Sequence, residues 1–178
     1  MFRIVASITS LQQHLDLLIS HPLTYKPRVC PHCGFGKLWC HGCYARKADR
    51  QPCLKSLNPI PIPRFLCFGC RRTCSRLPEC IPPRRWYNWV MQQQVLLRLL
   101  TGCSLRQCAQ RFGLDRRTVG RWWDWLKQRG QEFEFHLCSR YVDLGRVVNI
   151  QDFWQSCLPH GSLSQVMRIL DHDGVCVP

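Results

Sequence analysis

Four cysteines carry the sharpest chemistry in this sequence. Cys30-Pro31-His32-Cys33-Gly34 and Cys67-Phe68-Gly69-Cys70 are two Cys-x-x-Cys pairs, and four thiolates offered in pairs close the tetrahedral shell of one Zn2+. The two-residue spacing lets a single backbone turn aim both sulfurs at one point. Gly34 and Gly69 are expected to relax the sterics of those turns. A shell of four thiolates leaves no open position for water, so the expected ion is structural. Cys40-His41-Gly42-Cys43 is a third pair. With Cys53, Cys74 or Cys80 it would make a second zinc site, an alternative set below the simpler reading that these are individual small residues in a reduced protein.

A second kind of chemistry, ionic recognition, lies downstream. The stretch from Ser104 to Trp123 follows the helix-turn-helix pattern. Ala109 is a small residue where the second helix must approach, and Gly113 supplies the turn. The start of a recognition helix faces the major groove, which makes Arg116, Arg117, Thr118 and Arg121 the candidates for base or phosphate contact. Arg106 and Arg111, on the preceding helix, are candidates for backbone phosphates. The competing reading is an ordinary three-helix bundle with a basic face.

The elements that must position these groups are partly visible. Residues 10–20 read as a short helix capped by Ser10, with Leu11, Leu15 and Leu18 along one face. Residues 28–82 have the texture of a zinc ribbon, and Ile60-Pro61-Ile62-Pro63-Arg64-Phe65-Leu66 alternates like a strand, although two prolines make it an edge strand at best. So small a ribbon needs a metal staple. Residues 86–130 read as three helices. The first, ended by Gly102, carries Val90, Val95, Leu96, Leu97, Leu99 and Leu100. The second is capped by Ser104, with Leu105, Cys108, Ala109 and Phe112 on one face. The third is capped by Asp115 and runs to about Gln128, with Val119, Trp122, Trp123 and Leu126 as its apolar stripe and Trp125 partly exposed. In residues 131–178, Gln151–Leu158 and Ser162–Leu170 suggest two short helices around Pro159-His160-Gly161. Residues 1–27 and 131–178 are thus helical segments flanking a ribbon (28–82) and a helix-turn-helix domain (86–130). The fold class expected is α+β, mainly α, with short strands confined to the ribbon.

Charge supports the ionic reading. The chain of 178 residues carries 25 Lys and Arg against 11 Asp and Glu, a net of +14. Residues 26–85 hold 13 basic and 2 acidic side chains, a net of +11; residues 86–130 hold 8 and 2, a net of +6; residues 131–178 hold 3 and 6, a net of −3. A surplus needed only for solubility would not be segregated in this way, so a polyanionic partner is expected. The 14 cysteines come with no secretory pattern near the start and no apolar run approaching the roughly 18 residues of a membrane span. A reducing cytoplasm is therefore expected, and no membrane association.

The same residues carry a resemblance. The order Cys30-Pro31-x-Cys33, His41-Gly42-x-Tyr44-x-Arg46, then Arg64-Phe65-x-Cys67-x-x-Cys70-Arg71-Arg72-Thr73-x-Ser75 resembles the front end of bacterial insertion-sequence transposases and of transposase-associated proteins of unknown function. It covers about residues 28–128, with Cys74 a departure where such ribbons commonly carry an aromatic residue. The resemblance implies a zinc ribbon and a helix-turn-helix that together recognise the double-stranded DNA of element ends, and a separate transposase subunit as partner. Transposases of this kind cut and join DNA with acidic residues holding two magnesium ions on a ribonuclease-H-like fold. After the helix-turn-helix about 50 residues remain, short of a typical domain. Their acids, Glu132, Glu134, Asp143, Asp152, Asp171 and Asp173, read as caps or solvated surface charges. The expectation is a DNA-binding protein of a mobile element with no catalytic residues of its own. A homodimer fits, because one helix-turn-helix seldom reads enough bases alone. A truncated or split transposase subunit and a zinc-ribbon adaptor for proteins are the alternatives.

Overall fold

The computed structural model describes residues 3–48, 57–146 and 149–177. The class is α+β and mainly α, as expected; the strands lie in the cysteine-rich part except for Ile4–Val5, which precedes it. The four stretches drawn from sequence texture gather into two compact units. One runs up to Asn88 and takes in the residues from Gly174 on; the other is Trp89–Asp173.

In the first unit, strand β1 (Ile4–Val5) is followed by helix α1 (Leu11–Ser20), strands β2 (Leu38–Arg46), β3 (Ile60–Cys67) and β4 (Thr73–Cys74), and finally β5 (Leu77–Pro78). Strands β2, β3 and β4 form an antiparallel sheet in that order, while β1 pairs in parallel with β5, Ile4 opposite Leu77. The proline-bearing strand is therefore central rather than an edge. The reason is local: β4 pairs only with Phe65 and Leu66, beyond the last proline, so Pro61 and Pro63 face β2 alone and withhold no ladder donor from a third strand.

Ser10 caps α1 by accepting the Gln13 N–H at 3.1 Å. Its buried centre is His14, which the apolar pattern of Leu11, Leu15 and Leu18 passes over. The His14 Nε2 lies 3.0 Å from the Pro61 carbonyl oxygen, which can only accept, so Nε2 carries the proton and Nδ1 accepts from the Tyr25 hydroxyl at 2.5 Å. Leu17 and Leu18 pack against Val5, Ile8, Tyr25, Leu38 and Phe65 in a core that also contains Cys30, Cys67 and Cys74. The N-terminal segment thus shares its core with the ribbon, which is how so small a sheet acquires a hydrophobic interior.

The second unit holds α2 (Trp89–Leu100), α3 (Leu105–Phe112), α4 (Arg116–Cys138), α5 (Ile150–His160) and α6 (Leu163–His172). The buried face of α2 is Trp89, Gln92, Val95, Leu96, Leu99 and Leu100; Val90, one of the apolar residues read for this helix, is instead 63% exposed. Helix α4 does not stop near Gln128. It continues two and more turns because Gly130, which reads as a boundary, instead admits α5: a Cβ there would stand 2.0 Å from Ile150 Cδ1. Its buried stripe runs on through Val119, Trp122, Leu126, Gly130, Phe133 and Leu137, in steps of three or four. Trp123 and Trp125 are half-buried; the Trp125 ring meets that of Phe133 at 5.1 Å.

The expected C-terminal helices form, but α5 runs on through Pro159 and His160, where the sequence suggests a break, so that the helices are parted only at Gly161-Ser162. Asn149 caps α5, and Ser162 with Gln165 makes a capping box on α6. Both pack on α2 and α4. Gln155 Nε2 donates to the Leu100 carbonyl at 2.9 Å, and the Leu163 N–H donates to Gln93 Oε1 at 2.8 Å. The acids are placed mostly as expected: Glu132 pairs with Arg129, Asp173 with Arg140, and Asp152 lies in the first turn of α5. Asp171 departs from the expected solvated charge, being only 2% exposed.

Candidate functional site

The first unit brings Cys30, Cys33, Cys67 and Cys70 together at one end of the sheet, where β2 begins and β3 ends. All four Sγ atoms lie within 4.8 Å of one another. Across the two pairs, Cys30 Sγ is 3.7 Å from Cys70 Sγ, and Cys33 Sγ is 3.6 Å from Cys67 Sγ. A disulfide bond is about 2.05 Å long, so these are separate thiols. Ligands 2.3 Å from a tetrahedral zinc stand about 3.8 Å apart, close to the spacing found. The donor set therefore fits a metal ion such as zinc.

The two turns that aim these sulfurs repeat one another. Cys30 N–H donates to the Phe35 carbonyl and Gly34 N–H to the Cys30 carbonyl, both at 2.8 Å. In the second turn Cys67 N–H donates to the Arg72 carbonyl at 3.0 Å and Arg71 N–H to the Cys67 carbonyl at 3.1 Å. Gly34 has φ 75°, and the matching residue is Arg71 with φ 58°, not Gly69. Gly69 has a different role: a Cβ there would meet the Phe35 ring at 3.2 Å, so its missing side chain lets the first turn seat on the second. Nothing in the sequence marks an arginine for a left-handed conformation, which a non-glycine residue rarely adopts.

The quartet cannot carry four charges unaided. Burial pushes the Cys30 thiol up, but the His32 and Cys33 N–H groups and the neighbouring sulfurs outweigh it and bring it to about 7. Cys33 goes to about 11, because desolvation and the sulfurs of Cys67, Cys70 and Cys30 outweigh the Phe35 N–H that pulls it down. One thiol brought down beside one pushed up is the state a cation would relieve. Cys74 sits beside the quartet in the core, pushed to about 11 by burial and by Cys30, Cys67 and Cys70.

The third Cys-x-x-Cys pair is built differently. Cys40 and Cys43 lie exposed on β2, opposite Phe65 and Pro63, with a register shift between them and Gly42 at φ 68°. The spacing belongs to a β-bulge. Among the described residues no second metal group forms; Cys80 is a partly buried thiol packed on the core of Ile60, Ile62, Leu77 and Ile81, and Cys53 lies outside the described residues.

In the second unit, α3 and α4 are joined by Gly113-Leu114-Asp115. Gly113 adopts φ 62°, ψ 35°, and the Leu114 N–H reaches back to the Ala109 carbonyl at 2.9 Å, closing α3. Ser104 opens α3 through a capping box with Gln107. Ala109 is buried, and Gly120 of α4 faces Leu105 at 3.9 Å, so small residues do sit where the helices meet. Asp115 accepts from the N–H groups of Arg117 and Thr118 at 2.8 and 3.3 Å, so the first turn of α4 is already capped and its anion-binding power rests on side chains.

Arg116, Arg117 and Arg121 are exposed along the start of α4, with Arg121 Nη2 donating to Thr118 Oγ1 at 3.1 Å. Arg106 and Arg111 are exposed on α3. Arg98 of α2, which sequence reasoning passed over, lines one cleft with Arg111, Thr101 and Phe112. Its position in a helix read only for its apolar face hid it.

A family model matches residues 30–122, from the first ligand cysteine to the middle of α4. The chain belongs to the family described as Domain of unknown function (DUF6431). All ten candidate residues fall inside the DUF6431 match: the four cysteines, Arg106, Arg111, Arg116, Arg117, Thr118 and Arg121. No curated protein and no solved structure matches the chain. Among the described residues of this DUF6431 protein no helix is long and apolar enough to cross a membrane.

Proposed function

We propose that this DUF6431 protein binds double-stranded DNA, laying the start of α4 in the major groove, and that its four-cysteine centre holds one structural Zn2+. The observation that carries this reading is the α3–Gly113–α4 turn, which presents Arg116, Arg117 and Arg121 exposed at the beginning of a helix long enough to be anchored by its far end. Arginine forks suit guanine edges and phosphates alike. In a mobile element such a protein would mark the element ends for a separate catalytic subunit. No catalytic role is assigned to its own residues.

The test is selection from random double-stranded DNA with zinc-loaded, full-length protein at moderate salt. Enrichment of a motif supports the reading, and inverted symmetry in that motif indicates a dimer. Absence of enrichment, with Arg117→Ala and Arg121→Ala binding DNA as well as the parent, overturns it.

A further inference from the structure

We propose a second nucleic-acid surface on the first unit: the open end of the β2–β3–β4 sheet, where Trp39, Leu66 and Phe68 lie beyond the core of Ile60 and Ile62, binds unpaired DNA by stacking bases on Trp39 and Phe68. The register places both rings on one face. Leu38 and Cys67 are opposite one another and buried, so the next pair, Trp39 with Leu66, points outward, and Phe68, just past the end of β3, is exposed on the other side of Cys67. The Phe68 N–H donates to the Lys37 carbonyl at 3.1 Å, which carries the ladder into the metal turn. Leu66 in turn is opposite Thr73 of β4, so Trp39, Leu66 and Thr73 form one row across three strands.

The exposure of these rings calls for a partner. Trp39 is 63% exposed and Phe68 50%, whereas large aromatic side chains supply most of their stabilisation when buried. Residues on diagonal positions of an antiparallel pair are about 7–8 Å apart, roughly twice the 3.4 Å rise of stacked bases along a strand. That separation suits a strand opened so that each ring takes one base.

Cations surround the rings. The Arg71 guanidinium lies over the Phe68 ring at 5.1 Å, Arg64 over the Tyr44 ring at 5.1 Å, and Lys37 is beside Phe68 on the sheet. Residues 26–48 and 57–78 contain no Asp or Glu at all. Aromatic faces among unopposed cations are how single strands are held without sequence preference. A duplex is a poorer match, because its base faces already stack on each other and only edges and phosphates are offered. The choice of DNA over RNA rests on the function proposed above; the stacking surface itself does not.

The test uses zinc-loaded full-length protein and labelled oligonucleotides of about 12 nucleotides, read by fluorescence anisotropy. The expected result is that thymidine oligomers bind, that an abasic oligomer of equal length binds at least about tenfold more weakly, and that Trp39→Ala and Phe68→Ala each cost about tenfold on thymidine. Zinc stoichiometry shows that each variant has kept its fold. Duplex binding should be unchanged in these variants, while Arg117→Ala should lose duplex and keep the oligomer, so the two readings fail separately. Equal binding of thymidine and abasic oligomers by the unaltered protein overturns the proposal, as does a double variant within twofold of it. Tighter binding of a uridine oligomer overturns the assignment to DNA.

Discussion

Cys33 Sγ and Cys67 Sγ stand 3.6 Å apart, although 34 positions separate them in the chain. That single distance joins two turns that meet at the open end of the β2–β3 hairpin, and a metal ion held there would close a core that includes α1. Removing zinc is therefore expected to unfold the whole first unit, α1 included, rather than residues 28–82 alone. The helices of the second unit should persist, because Val95, Leu96, Val119, Leu126 and Phe133 bury themselves within it. Hydrogen exchange with and without a chelator checks this: protection should vanish in α1, β2 and β3 and survive in α4. Structural zinc in small domains contributes on the order of 10 kcal/mol, so Cys67→Ser should behave like the chelated protein. Survival of β2 and β3 protection in either case would contradict a structural metal.

The exposed arginines on α4 predict a steep salt dependence. Each neutralised phosphate releases counterions, so log affinity should fall linearly with log salt, and removing one phosphate contact should lower the slope by about one. Arg106→Ala and Arg111→Ala are expected to weaken all DNA sequences alike and flatten the slope. Among Arg116, Arg117 and Arg121, a variant that instead relaxes preference at one base position, at a cost of about 1–3 kcal/mol, marks a base contact. Titrations on a selected duplex at several salt concentrations separate the two.

His14 makes the first unit sensitive to acid. Burial lowers its pKa below 6.5, against the smaller opposing pull of the Pro61 carbonyl. The folded protein therefore keeps His14 neutral where the unfolded chain begins to take a proton. Stability is fully present above pH 6.5 and is lost as pH falls below it towards the depressed folded value. Urea unfolding between pH 7.5 and 5.5 should show this slope, and His14→Gln should reduce it. Metal analysis at each pH is needed alongside, since acid also displaces zinc from thiolates.

Gly113 tests the turn between α3 and α4. No atom lies within 4 Å of where its Cβ would be, so space is not the constraint. Its φ of 62° is, because a side chain in that conformation costs about 1 kcal/mol or more. Gly113→Ala should destabilise the second unit by that amount, read as a lower thermal midpoint, and Gly113→Asn by less, since asparagine tolerates the left-handed region better. Equal stability of all three would mean that the turn relaxes elsewhere.

Local chemistry was legible in the sequence by itself. The two Cys-x-x-Cys pairs, the caps at Ser10, Ser104 and Asp115, the turn at Gly113 and the periodic faces of α3 and α4 each depend on residues within a few positions of one another. Only the tertiary structure decided what depends on residues far apart. Pro61 and Pro63 sit in a central strand because β4 is too short to reach them. Gly130 continues a helix because Ile150 needs its missing Cβ, and His14 is core because Tyr25 and Pro61 satisfy both ring nitrogens. Cys40 and Cys43 share the spacing of the ligand pairs yet lie on a bulge, since the strand opposite them, not the spacing, sets where their sulfurs go. The physical reason is common to all four: a pattern in sequence fixes the conformation a segment prefers, but burial, partners and register are properties of what packs against it.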